Sequence, residues 1–163
     1  MFDLINGLPV HALVVHVVVV LLPLFALVTV AFVVRPQWRP GLPWAILGNA
    51  GVFATTFVAT QSGENLQTRL SNLTNSHVAT HHGELGADLR YFAFAQLAAS
   101  LVAWVLVGTS SRTRSKPAGL PAVALALVLV VVAGGAATVW TYRVGDSGAQ
   151  AVWKDTIANT KAP

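Results

Sequence analysis

The sequence predicts an all-α integral membrane protein, a four-helix bundle of two helical hairpins with both termini on the outer side. Three observations predict it. The 163-residue chain is 55% hydrophobic and only 10% charged, far below the roughly 25% charged residues of an average soluble domain. Its apolar residues fall into four runs, each near the ~20 residues that cross a ~30 Å hydrocarbon core. Two short connections between runs carry Arg35 and Arg39, and Arg112, Arg114 and Lys116, with no acid among them.

The first span, 10–34, follows Pro9 and contains Pro23, a candidate kink. No Lys or Arg precedes it and its apolar run exceeds a signal-peptide core, so it reads as a retained helix. Span two covers 42–60, with Pro43 near its start, where a missing amide hydrogen costs little. Span three covers 91–108, and span four covers 120–142, with Pro121 near its start. Lipid leaves no water for backbone groups, so such spans are helices or a closed barrel. A barrel strand alternates polar and apolar residues, and the stretches 13–22 and 123–133 do not. Asn49 and Gln96 fall inside spans as interhelical hydrogen-bonding groups, and Gly134-Gly135 with Ala136-Ala137 lets helices approach closely. Trp38, Trp44, Trp140 and Trp153 read as interfacial belt residues. The whole chain, 1–163, reads as one transmembrane domain.

The chain has no cysteine and its one methionine is Met1. That excludes disulfides, thiolate-held clusters, zinc ribbons and covalently attached haem, and leaves His, carboxylate and backbone oxygen as metal ligands. The net charge of +4 is spread over the loops with no basic helix, so nucleic acid is not a partner. The basic residues orient the chain instead. The positive-inside rule puts the two acid-free connections in the cytoplasm and the termini, with the segment 61–90, on the outer side of the membrane.

This topology gathers four distant segments at the outer rim: 4–16, 61–66, 76–90 and 143–154. All five histidines lie in them, with Glu64, Glu84, Asp88 and Asp146. The two hairpins also resemble each other. Spans one and three are entered through His11 and His16, and through His77 and His81; spans two and four leave through Ser62-Gly63 and Ser147-Gly148. A parallel repeat about an axis along the membrane normal would bring the two Ser-Gly turns together. Each Ser-Gly pair is also what a helix ending in a glycine turn looks like.

His11 and His16 are five apart, about 140° around a helix, and do not share a face. His77 and His81 are four apart and do, as a common ligand set requires. His82 is expected to point elsewhere, toward solvent. Single histidines at helix starts also cap carbonyls or sit among headgroups, so their gathering on one side is what points to a site. Serine, histidine and acid meet at the rim, yet no Gly-x-Ser-x-Gly elbow or His-Glu-x-x-His pair occurs, which argues against hydrolysis.

The segment Ile5-Asn6-Gly7-Leu8-Pro9-Val10-His11-Ala12-Leu13-Val14-Val15-His16, the tail Tyr142-Arg143-Val144-Gly145-Asp146-Ser147-Gly148-Ala149-Gln150-Ala151-Val152-Trp153, and the pieces Ser62-Gly63-Glu64 and His82-Gly83-Glu84-Leu85-Gly86 resemble an uncharacterised family. It comprises four-helix bacterial, largely actinobacterial, membrane proteins with a His-Pro-x-x-Val-His type signature in the first helix. Ala12 stands where relatives usually carry proline. Relatives joined to outward-facing cytochrome c or Rieske-type domains imply, by association, membrane electron transfer.

Three functions stay open. The leading one is a b-type haem held by His11 and His81, with His16 and His77 as a second set and Arg69, Arg90 or Arg143 on the propionates. The second is a copper or zinc site built from His11, His77 or His81 with Glu64 or Glu84. The third is an accessory subunit that meets lipid, quinone or a larger respiratory or redox complex and needs no metal.

Overall fold

The computed structural model describes residues 4–70, 76–108, 118–158 and 160. The chain opens on a small antiparallel ribbon, β1 (Leu4–Ile5) against β2 (Leu8–Pro9). Asn6 (φ 51°) and Gly7 (φ 80°) join the strands; a two-residue hairpin needs left-handed backbone there, and Asn-Gly supplies it. Pro9 then caps α1 (Val10–Val34). A 3-10 segment (Pro36–Gly41) leads to α2 (Leu42–Leu70). After it come α3 (Ser76–Ala103), closed by a π-helical turn (Trp104–Gly108), and α4 (Leu120–Ala158). All four helices are long and apolar enough to cross a membrane. Arg112, Arg114 and Lys116 fall outside the described residues.

α1 has the bounds that its apolar run predicts; the other three helices are longer. α2 continues beyond Thr60 to Leu70, α3 begins at Ser76 rather than Tyr91, and α4 continues beyond Tyr142 to Ala158. Hydropathy marks only the stretch matched to lipid. Gln61, Glu64, Gln67, Gln150 and Lys154 are good helix formers that extend the helices past it. Ser62-Gly63 and Ser147-Gly148 are therefore not turns, and each lies within an unbroken helix.

α1 packs on α2 and α4, α3 packs on the same two, and α1 and α3 face each other across the bundle. One apolar cluster centres on Val18, Leu22, Val52, Leu89, Ala93 and Ala137, and another on Val33, Leu42, Ala103, Val107, Ala126 and Val130. A polar layer crosses the middle. Gln96 Nε2 donates to Asn49 Oδ1 (2.8 Å) and Leu22 O (3.2 Å), and Asn49 Nδ2 donates to Thr29 Oγ1 (3.1 Å). Gly134 meets α1 closely: a Cβ there would lie 2.8 Å from Ala26 Cβ, whereas one on Gly135 would meet nothing. Trp140, one of the expected belt residues, bridges two helices. It is half-buried, donates Nε1–H to Leu85 O (2.9 Å) and stacks on Phe92.

The hairpin repeat extends through the core. The buried positions Ala45, Asn49, Val52, Thr56, Ala59 and Ser62 of α2 recur 85 residues later in α4 as Val130, Gly134, Ala137, Thr141, Val144 and Ser147, all buried. Two of the six pairs are identical, Thr56 with Thr141 and Ser62 with Ser147, so the second helix of each hairpin turns a like face inward.

Candidate functional site

The repeat brings one histidine from each hairpin toward the axis at the end where the chain begins. His11 is at the start of α1 and His82 is in the second turn of α3; their ring centres are 6.0 Å apart with planes at 76°. Helical rotation explains the choice. His11 precedes Val18 by seven residues and His82 precedes Leu89 by seven, which turns each within about 20° of a core residue. Val18 is 1% exposed and Leu89 5%. Beneath the rings is a cavity of about 30 Å³, lined also by Val18, Thr56, Ala59, Leu89, Thr141 and Val144. Such a space holds a water molecule or a bare ion.

Each imidazole is anchored through Nδ1 to the other helix of its hairpin. His11 Nδ1–H donates to Ala59 O at 2.9 Å. His82 Nδ1 lies 3.0 Å from Ser147 Oγ, and the Ser147 hydroxyl proton is committed to Val144 O at 2.9 Å. With the ring as donor of that pair, the Ser147 hydroxyl keeps its own bond to Val144 O. As Nδ1–H tautomers both rings carry the lone pair on Nε2, the arrangement that prepares histidine as a ligand. Gly63 and Gly148 make room: a Cβ on Gly63 would lie 2.9 Å from His11 Nδ1, and one on Gly148 would lie 3.0 Å from His82 Cε1.

The other predicted residues are elsewhere. His81 is exposed, and His82 takes the inward position assigned to it, which corrects the expectation that His82 points toward solvent. His16 is exposed and donates Nδ1–H to Ala12 O in its own helix (2.6 Å). His77 is in the first turn of α3, and its side chain falls outside the described residues. Glu64 is exposed and accepts from Gln61, and Glu84 is exposed. Arg90 lies over Tyr91 and Arg143 over Trp140, with Cζ at 5.1 and 4.9 Å from the ring centres. Among the described residues no three His, Asp or Glu side chains converge to hold a metal ion. Thr56 and Thr141, whose hydroxyls donate to Val52 O and Ala137 O (2.8 Å each), face the cavity without having been singled out. Their inward direction, six residues before each serine, is the signal that could have found them.

No curated protein and no solved structure matches the chain. The model of one family does match, over residues 7–161 and therefore over both histidines and both serine-glycine anchors. The chain belongs to DUF2231, a family described as predicted membrane proteins.

Proposed function

We propose that the His11–His82 pair binds one copper ion through its two Nε2 atoms, at the outer face of a bacterial plasma membrane, and that the protein serves membrane electron transfer there. The observation that carries this reading is the pair of Nδ1 anchors, which leaves two lone pairs on rings 6.0 Å apart. Two imidazoles on opposite sides of one metal ion, at the ~2.0 Å bonds histidine nitrogen makes, have ring centres about 6 Å apart. Imidazole suits copper and zinc alike, but tetrahedral zinc sites draw three or four protein ligands. A two-nitrogen site favours copper in its lower oxidation state. Axial histidines of a haem have the same spacing, but a porphyrin also needs width between the rings, where Thr56 and Ala59 of α2 and Thr141 and Val144 of α4 line the cavity. Copper cycles by one electron, which agrees with the redox association implied by the family resemblance.

The test is metal content and absorption of protein purified after growth with copper, zinc and haem precursor all supplied. One copper per chain, lost in His11→Ala and in His82→Ala but kept in His16→Ala and His81→Ala, supports the reading. A Soret band replaces copper with haem. Protein of either composition that keeps its metal in both His11→Ala and His82→Ala removes the site.

A further inference from the structure

We propose that Arg39, at the end of the bundle opposite the histidines, holds the phosphate of an anionic phospholipid. Arg39 is in the 3-10 segment after α1 and is only 6% exposed. Its Nε donates to Val33 O at 3.2 Å, in the last turn of α1, where helix carbonyls lack backbone partners. That bond uses one of five guanidinium N–H groups. The carbonyl ends of α1 carry partial negative charge, which does not neutralise a full positive one. A buried charge persists where a counter-ion meets it.

The chain supplies no such counter-ion at this end. Its six acids are Asp3, Glu64, Glu84, Asp88, Asp146 and Asp155, all in the terminal and central segments. The connections 35–41 and 109–119 contain none. An anion from outside the chain would complete the site, and at the edge of a membrane-spanning bundle the abundant one is a lipid phosphate, which guanidinium binds through paired N–H donors. The segment that carries Arg39 also borders an open groove, lined by other residues. Gln37, Trp38 and Gly41 of that segment line it against Phe32. Exposed Arg35 lies over Trp38, its Cζ 4.3 Å from the ring centre, and adds positive charge at the rim.

The experiment compares thermal unfolding of the full chain in detergent micelles doped with phosphatidylglycerol, phosphatidylcholine or nothing, with native mass spectrometry of retained lipid. Wild type should unfold several degrees higher with phosphatidylglycerol than with an equal mole fraction of phosphatidylcholine, and should retain one anionic lipid. Arg39→Gln should lose both differences, while Arg35→Gln should keep most of each. If Arg39 serves only to cap α1, Arg39→Gln is weakened equally in all three micelles and keeps the lipid preference, which overturns the proposal. Stabilisation of wild type by inorganic phosphate alone, equal to that by phosphatidylglycerol, overturns the lipid assignment. Should Arg39→Gln fail to fold, wild type retaining the two lipids without preference overturns it equally.

Discussion

Ser62 and Ser147 hold equivalent places in the two hairpins, yet only one reaches a histidine. Ser147 Oγ accepts from His82, while the Ser62 hydroxyl donates to Ala59 O (3.0 Å). A neighbour that fixes a ligand ring typically changes metal affinity 10- to 100-fold when removed. Ser147→Ala should therefore weaken copper binding by roughly tenfold. Ser62→Ala should leave it unchanged. Competition with a copper(I) chelator measures both, and equal effects would deny Ser147 a part in orienting the ring. The same scale shows what a sequence reveals and what it hides. That His77 and His81 share a face follows from helical spacing, but spacing among histidines does not say which face looks inward. The buried residues do: His82 is within about 20° of Leu89's direction and His81 about 80° from it. His16, two residues from Val18, turns about 160° away from the core.

Along whole helices, glycine marks the sites of closest approach, and the polar ends mark where hydropathy stops being informative. Span positions were legible because apolar runs are set by bilayer thickness, while the continuations to Leu70 and Ala158 are built from polar helix formers that hydropathy does not register. A Cβ on Gly48 of α2 would collide with the Phe25 ring of α1, so Phe25 must move for any side chain there. Gly48→Ala should cost roughly 1–3 kcal/mol, the usual penalty of overpacking. Gly135→Ala meets nothing within 4 Å in the middle of α4. It should be neutral or stabilise by up to ~1 kcal/mol, because alanine is the better helix former. Thermal unfolding of the two variants beside wild type checks the contrast. Two equal melting points would mean that α1 and α2 do not pack through Gly48.

Across the whole molecule, charge and chemistry are segregated by end. The paired imidazoles and the exposed Glu64, Glu84, Asp88 and Asp146 share one end with the chain's beginning and the far reach of α4. The other end has buried Arg39 and two connections without an acid. Cytoplasmic loops collect Lys and Arg because translocating them is disfavoured. The acid-free end should therefore face the cytoplasm, and the histidine pair the outside, where an external redox partner could reach it. The absence of cysteine makes this directly measurable, since a single introduced thiol has no background. Gln37 is exposed in the 3-10 segment and Gln150 is exposed on α4 beyond Ser147, so neither change disturbs the core. In intact cells an impermeant thiol reagent should label Gln150→Cys, and should label Gln37→Cys only after permeabilisation. The reverse pattern would turn the molecule over, carry the histidine pair to the cytoplasmic side, and require its metal and its electron partner to come from there.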